Sequence, residues 1–418
     1  MNYNSYYEVE IMKKEKNKVM HTRKIKYRFK NDAFDFMFQW ILGSQTHGGS
    51  EIGETFYTAS RIKDGDPESW IREWKITGEK TERRAEICFK NGNFISSREA
   101  YFRSYSYFRA ALVFMSPLKR KDEYITLYKM AQNNFRKAVG LSDYHIDIVE
   151  FDYKNNVLPG YFIREKEINE KRKTLIMVGG GDSFVEDLYF YIAPAGIKRG
   201  YNILLVDLPG QGILPFKSLH MFPEFEEAGK VVLDFLYENN NVDREKIAIY
   251  GISAGGYISP RIASKEKRIS ACIACNALPD FSVVWGSTAA KKFAELENTL
   301  RFKILARIPK IKGMISLLDT YRWRWGVDSL KKLIDFSHDF KFSPNEIKCP
   351  VLNLVGESEF NLYNLLRPKW KEFIKHVDNS NKMQIITPID EGADGHGLGT
   401  NISLMSQEVF DWLDSIYS

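Results

Sequence analysis

The sequence has few cysteines and no long uncharged apolar run. Its 418 residues include four cysteines, too few for a disulfide framework. No segment reaches the ~20 uncharged apolar residues that a membrane-spanning helix needs. The first residues, MNYNSYYEVEIMKKEK, mix acids with lysines and lack the apolar core of a secretory signal. We therefore predict a cytoplasmic protein with no membrane partner.

Signals for metals and cofactors are also missing. Cys272 and Cys275 form a C-x-x-C, but it lies in the apolar run ISACIACNAL without a second pair or a neighbouring histidine, which favours buried thiols. The glycine-rich segment GGGDSF lacks the G-x-G-x-x-G spacing, and no G-x-x-x-x-G-K-[ST] occurs. The sequence therefore predicts no metal site and no cofactor.

Charge is nearly balanced, with 60 basic and 54 acidic residues and a net charge of +6. Much of the excess lies between Lys13 and Lys30, where nine basic residues face only Glu15. A nucleic-acid arm is one interpretation. In RKIKYRFK, however, apolar and basic residues alternate, which one apolar edge and one solvated edge explain. We predict no nucleic-acid partner.

The first third of the chain has helical periodicity. Apolar residues recur every three or four positions over 70–90 and 97–115. Ser97 is predicted to precede the second helix and Gly78 to interrupt the first. The sequence therefore predicts a mostly helical N-terminal domain over residues 1–144.

From residue 145 onward the pattern changes to short apolar runs. HIDIVEFDY and LPGYFIR, with a turn at Asn155-Asn156, predict a β-hairpin. Further runs separated by helices predict a mostly parallel sheet flanked by helices, at 174–180, 202–210, 246–253, 269–277, 351–357 and 383–389. We assign 145–418 to one α/β domain, with a helical insertion at about 278–349 predicted to lie over the sheet edge.

The segment Gly251-Ile252-Ser253-Ala254-Gly255 has the form G-x-S-x-G. An apolar strand enters it and a helix rich in small residues leaves it, which is the context of a nucleophile turn. The two flanking glycines avoid collisions in a strained turn. Ser253 is the predicted nucleophile.

A serine nucleophile needs a base, and the base needs an acid to orient it. In this architecture the acid and then the histidine follow the serine. Glu359 comes directly after VLNLV, and His396 lies in a glycine-rich loop after the last predicted strand. Glu357 and Asp394 remain alternatives for the acid. We predict a Ser253, Glu359, His396 triad.

An oxyanion hole needs backbone donors that are fixed in advance. The segment after TLIMV, Gly179-Gly180-Gly181-Asp182-Ser183, is where a hydrolase of this kind supplies one N–H group, and the residue after the nucleophile supplies another. The predicted donors are Gly181 or Asp182, together with Ala254.

Several long segments carry a family resemblance, at 47–70, 97–111, 179–190 and 321–327. They resemble the α/β-hydrolases that include 2,6-dihydroxypseudooxynicotine hydrolases and polyketide-shortening hydrolases of pigment pathways. The resemblance implies an α/β-hydrolase core, an N-terminal helical domain that caps the site, and hydrolysis of a carbon–carbon bond beside a carbonyl. Many members have aspartate where this chain has Glu359.

An aromatic or polyketide substrate suits an aromatic pocket. Five aromatic side chains are candidate substrate contacts, with packing between cap and core as the alternative for each: Phe281, Trp285, Tyr321, Trp323 and Trp325.

Three functions are compatible with these residues. The first is a serine hydrolase that cleaves a carbon–carbon bond in an aryl ketone or polyketide by a retro-Claisen reaction. The second is an ester, thioester or lactone hydrolase with the same triad, and the third is an inactive hydrolase fold that serves as a binding protein. Whether the substrate is carrier-bound and whether the protein is a homodimer stay open.

Overall fold

The computed structural model describes residues 25–167, 170–285, 291, 294–297, 299, 309–362 and 366–418. Most of the basic segment Lys13–Lys30 lies outside the described residues. Of its alternating apolar side chains, Phe29 is buried, whereas Ile25 and Tyr27 are exposed, so the predicted apolar edge is wrong for these two. The Asp35 carboxylate, in the first turn of the helix Asp32–Gly43, accepts hydrogen bonds from the backbone N–H groups of residues 27–29. These bonds hold the segment in a bent conformation, so its side chains do not alternate between two edges as in a strand.

Five helices form the described N-terminal part of the chain: α1 Asp32–Gly43, α2 Ile52–Arg61, α3 Pro67–Lys90, α4 Phe94–Leu112 and α5 Lys121–Gly140. Two details of the prediction are wrong. Ser97 lies inside α4, where its buried hydroxyl donates to the Ala85 carbonyl. Gly78 lies inside α3 and does not interrupt it. The absence of a side chain there leaves room for Phe108, whose nearest ring carbon would be 2.7 Å from a Cβ at this position.

The sheet has eight strands in the described chain: β1 His145–Tyr153, β2 Asn156–Arg164, β3 Arg172–Val178, β4 Asn202–Val206, β5 Val242–Ile252, β6 Ala271–Cys275, β7 Val351–Gly356 and β8 Lys382–Thr387. Their order is β1-β2-β4-β3-β5-β6-β7-β8. β2 is antiparallel to β1 and β4, and the remaining neighbours are parallel. The predicted mostly parallel sheet is confirmed.

The hairpin turn lies one residue earlier than predicted. Lys154 and Asn155 have φ of 47° and 59°, and Asn156 already begins β2. A two-residue turn of type I′ requires positive φ at both central positions, and asparagine tolerates that conformation better than most residues.

Helices cover both faces of the sheet: α6 Asp187–Ile197, α7 Glu226–Glu238, α8 Gly255–Lys265, α9 Ser282–Trp285, α10 Pro309–Trp325, α11 Leu330–Ser337, α12 Glu357–Leu362, α13 Arg367–His376 and α14 Ile402–Tyr417. Alternate strand residues point into two separate cores. Leu175 and Met177 of β3 pack with the N-terminal helices, whereas Ile176 and Val178 pack on the opposite face. No helix in the described ranges is long and apolar enough to cross a membrane.

The insertion before β7 is helical where it is described, in α9, α10 and α11. Its described part packs at the edge of the sheet that the carboxyl ends of the strands form. Tyr321 of α10 lies 3.3 Å from the position of a Cβ on Gly181, directly after the inner strand β3. Asp319 of α10 accepts hydrogen bonds from Ser116 and Lys119, which follow α4. These contacts hold α10 over the carboxyl ends of the central strands.

Candidate active site

Ser253 lies in a strained turn between β5 and α8. Its φ is 59°, an unfavourable conformation for a non-glycine residue. The flanking glycines make the turn possible: a Cβ on Gly251 would lie 1.9 Å from the Gly255 carbonyl oxygen, and one on Gly255 would lie 2.8 Å from that of Val178. The turn therefore presents the hydroxyl beyond the end of the sheet, beside the N-terminus of α8.

His396 lies in the loop between β8 and α14 and joins Ser253 to Glu359. Its Nε2 is 2.8 Å from Ser253 Oγ, and its Nδ1 is 2.8 Å from Glu359 Oε1. A carboxylate only accepts hydrogen bonds, so Nδ1 carries the proton and Nε2 is the atom that can accept from the serine. The three predicted residues are thus brought together with geometry suited to general-base catalysis.

The two alternative acids lie elsewhere. Glu357 accepts the backbone N–H of Ile389 at 2.8 Å, and Asp394 accepts the Ser358 hydroxyl. Glu359 is the carboxylate at the histidine, and Asn276 Nδ2 donates to its second oxygen at 2.6 Å. Because both Glu359 oxygens are bound, the carboxylate has a fixed orientation towards the ring.

The Glu359 carboxylate also alters the titration of His396. Burial alone lowers the pKa of the imidazole, but the negative charge and the hydrogen bond of Glu359 outweigh burial and raise the pKa above its ordinary value of 6.5. A positively charged imidazole at this position is therefore stabilised.

We expect kcat/KM to fall on acidification through a pKa above 6.5, since His396 must be neutral to accept the serine proton. Glu359→Gln removes the charge that raises this pKa, so the His396 ring is expected to titrate at lower pH in that variant. The measurements are a pH profile of kcat/KM for wild type and an NMR titration of the histidine ring protons in both proteins. An acid limb at or below 6.5, or a His396 titration that Glu359→Gln leaves unmoved, would contradict this expectation.

The predicted oxyanion donors lie beside Ser253. No hydrogen bond within the described chain uses the backbone N–H of Gly181, Asp182 or Ala254, whereas that of Gly180 is taken by Ser183 Oγ at 2.7 Å. A Cβ on Gly181 would lie 3.6 Å from the Ala254 Cβ, so the two backbone segments are neighbours. They form a site where a negatively charged oxygen could be bound.

A cavity of about 140 Å³ opens beside Ser253 and His396. Apolar and aromatic side chains from α1, α4 and α6 form much of its wall, with Asp182, Arg109 and Asp187 as charged members. An apolar cavity of about this size holds a benzene molecule, so there is room here for an aromatic ring or a short acyl chain.

Of the five aromatic residues predicted to contact substrate, Tyr321 lines the cavity. The other four are not among the described residues that line it, and they pack elsewhere. Trp285 packs edge-on against Tyr321, with ring centroids 5.1 Å apart. Trp323 packs against Phe216 and Tyr124.

Phe281 and Trp325 belong to a separate aromatic cluster. Their ring centroids are 5.3 Å apart, and both pack against Phe340. This cluster lies in the core on the α8 side of the sheet, where burial of aromatic surface stabilises the insertion. For these residues the alternative of core packing is the one that fits the structure.

Helix α1 also contributes to the site, which no sequence motif indicated. Phe36, Met37, Trp40 and Ile41 line the cavity, and the Phe36 and His396 ring centroids are 6.1 Å apart. The available signal was composition, because DAFDFMFQWILG is apolar on nearly all sides, as expected for a buried helix.

Trp40 also packs tightly against the histidine loop. A Cβ on Gly397 would lie 2.7 Å from the indole, and one on Gly399 would lie 2.9 Å from it. The Trp40 ring stacks on Tyr191, whose hydroxyl donates to the Gly397 carbonyl at 2.6 Å. The loop that carries His396 is thus packed between α1 and α6.

Metal chemistry has no evident site in the described ranges, which contain no group of three or more His, Cys, Asp or Glu side chains arranged to hold an ion. Cys272 and Cys275 are buried in β6 as free thiols.

The chain is similar to known proteins in sequence and in structure. The chain is 28% identical to the 20-hydroxy-prefusarin hydrolase FUS2 of Gibberella moniliformis over 93% of its own length and 98% of that protein. It is 35% identical to the alpha/beta hydrolase psoB of Aspergillus fumigatus over 61% of this chain and 60% of that one. The structure of 2,6-dihydroxy-pseudo-oxynicotine hydrolase superimposes with a TM-score of 0.67 at 19% identity, covering 90% of this chain and 95% of that one.

These similarities confirm the α/β-hydrolase class, the resemblance stated from sequence and the prediction of an enzyme of this kind. The family model of FrsA-like esterases matches residues 58–295, more than half of the sequence. The chain belongs to the FrsA-like esterase family.

Proposed function

We propose that the protein is a serine hydrolase that cleaves the carbon–carbon bond beside a carbonyl in an aryl ketone or polyketide intermediate. The observation that carries the proposal is the hydrogen-bonded row of Ser253, His396 and Glu359 at an apolar cavity. The name of the Gibberella relative, a 20-hydroxy-prefusarin hydrolase, supports a small organic substrate from secondary metabolism.

The proposed reaction begins with attack of Ser253 Oγ on the carbonyl carbon, as His396 Nε2 takes the hydroxyl proton. The carbonyl oxygen becomes an oxyanion, which the N–H groups of Gly181 or Asp182 and of Ala254 bind. Collapse of this intermediate breaks the carbon–carbon bond, and the electron pair leaves with the carbon as an enolate. The imidazolium returns its proton to that carbon.

Water then releases the acyl group. His396 takes one proton from water, the hydroxide attacks the acyl-serine carbonyl, and Ser253 leaves with the proton from His396. The products are one carboxylic acid and one ketone or arene. We propose that the described N-terminal helices, predicted as a domain over 1–144, cap the site during this sequence, which is supported by the α1 and α4 residues in the cavity wall.

An ester, thioester or lactone hydrolase is the second candidate, favoured by the esterase name of the family. The same residues would act in the same order, but an alkoxide or thiolate would leave in place of the enolate. An alkoxide or thiolate needs no protonation at carbon, so the imidazolium does not have to deliver its proton to a carbon atom.

A matched pair of substrates distinguishes the two candidates. We expect 1-phenyl-1,3-butanedione to be split into one carboxylic acid and one ketone in equal amounts, with one ¹⁸O from labelled water in the acid. The comparison substrate is phenyl acetate, and Ser253→Ala is the control for both. Hydrolysis of the ester with the diketone left intact would instead assign the ester-type activity.

A further inference from the structure

The loop Gly179–Ser183, which we call the oxyanion loop, is held by two arginines from distant parts of the chain. The Asp182 carbonyl oxygen accepts from Arg109 Nη2 at 2.7 Å and from Arg324 Nη2 at 3.2 Å. Arg109 lies on α4 and Arg324 on α10. Hydrogen bonds from a charged donor are stronger than neutral ones, so this carbonyl is firmly fixed.

Other carbonyls of the oxyanion loop are also bound. Gln211 Nε2 donates to the Gly179 oxygen at 2.6 Å and lies 3.3 Å from the Gly180 oxygen. In a trans peptide the carbonyl and the following N–H point in opposite directions. A donor on the Gly180 carbonyl therefore turns the Gly181 N–H away from Gln211. The peptide group that joins Gly181 to Asp182 thus lies between two anchored peptide groups. Gln211 binds the carbonyl of the one before it, and the two arginines bind the carbonyl of the one after it.

Both guanidinium groups are themselves held in place. Arg109 Nε donates to Asp187 Oδ2 at 2.9 Å, and Arg324 Nη1 donates to the Gly210 carbonyl at 3.0 Å. Both guanidinium carbons lie over the Phe184 ring, 4.5 Å and 5.5 Å from its centroid. Arg324 is 1% exposed. Burying a charge this deeply is costly unless it is well bound, so the arrangement requires a specific set of partners.

We propose that Arg109 and Arg324 are positioning residues that fix the oxyanion loop through the Asp182 carbonyl. Because Arg109 lies on α4 and Arg324 on α10, the placement of the oxyanion donors then depends on both the N-terminal helices and the insertion. The inference rests on the proposed function, because the placement of these N–H groups matters only when Ser253 forms an oxyanion. Arg109 also borders the cavity, so the rival explanation is that it binds an anionic group of the substrate.

Arginine-to-lysine variants test the proposal, since lysine keeps the charge but lacks the planar fork that holds two acceptors at once. The variants are Arg109→Lys and Arg324→Lys. The matched control is Arg103→Lys, on the same helix as Arg109. Arg103 pairs with Glu54 at 3.1 Å, and its side chain is 19% exposed against 13% for Arg109.

The assays are hydrolysis of p-nitrophenyl acetate and inhibition by an aryl trifluoromethyl ketone, whose adduct with the serine carries an oxyanion. Loss of an oxyanion donor lowers kcat by about 10² to 10³, so a displaced loop is expected to lower kcat about 10-fold in each test variant. KM is expected to stay within about twofold of wild type, because the lost interaction acts in the transition state. The inhibition constant of the ketone should rise in parallel with the fall in kcat, and the control should behave as wild type.

Several outcomes would overturn the proposal. A kcat within about twofold of wild type in both test variants would do so. So would a rise in KM with kcat unchanged, which would mark Arg109 as a substrate-binding group. If Arg324→Lys does not fold, Arg109→Ala assayed with and without ethylguanidinium decides: recovery of kcat supports the proposal and no recovery contradicts it. Failure of the proposed function is seen separately, as full hydrolysis by Ser253→Ala.

Discussion

Ser253→Ala is expected to lower kcat by more than ~1000-fold, as loss of a triad nucleophile does. The substitution removes only the hydroxyl and keeps the Cβ already present in the turn at φ 59°. The melting temperature should therefore stay close to that of wild type. Steady-state kinetics measures the loss, and mass spectrometry after exposure to a fluorophosphonate reports whether the labelled serine is lost with it.

Ser264→Ala is the matched control for this substitution. Ser264 lies in α8, and its hydroxyl donates only to the Arg261 carbonyl within the described chain. This variant should keep wild-type turnover and labelling. Activity of Ser253→Ala within a few-fold of wild type would rule out the serine mechanism.

Glu359→Gln is expected to lower kcat by about 10³ to 10⁴, the effect of replacing a triad carboxylate by its amide. Gln cannot stabilise the imidazolium, and its NH₂ group can turn the ring to the wrong tautomer by donating to Nδ1. Asn276 Nδ2 already donates to the second carboxylate oxygen, so the amide oxygen of Gln would keep that bond and its NH₂ group would face Nδ1. Glu359→Asp should be milder, because the charge is kept and only one methylene of reach is lost.

Two neighbouring acids provide controls for Glu359→Gln. Glu357→Gln should change kcat little, since Glu357 binds the Ile389 N–H and not the histidine. Asp394→Asn weakens the bond from Ser358 and leaves the Glu359–His396 pair in place. Measuring kcat for all three variants side by side tests the assignment. A large loss in Asp394→Asn with a nearly silent Glu359→Gln would move the acid role to Asp394.

Local sequence was enough to pick out the three residues that the structure brings together, because each follows a strand of a parallel sheet. Ser253 and His396 lie after the carboxyl ends of β5 and β8, and such ends meet at one edge. Glycines around Ser253 were informative because the turn physically requires them. Choosing between Glu357 and Glu359 required the structure, since two residues in one short helix point in different directions.

The walls of the site were harder to predict because they depend on long-range packing. Tyr321 and Trp323 are two positions apart on α10, and only the position of that helix over β3 shows which of them faces the cavity. Arg324 is 142 positions from Asp182, and no local pattern links a guanidinium to a carbonyl at that separation. Helix periodicity identified apolar faces but not their partners.

The packing of Trp40 against Gly397 and Gly399 bears on which movements could admit a substrate to the cavity. If α1 swung outward as a gate, its indole would leave the histidine loop, and the stack with Tyr191 that supports the Gly397 carbonyl would be lost. In the proposed reaction, opening by that route would displace the base, His396, just when the substrate binds. Substrate entry by motions that leave α1 in place would keep His396 in position for the proposed reaction. The same helix therefore both lines the cavity and holds the histidine loop.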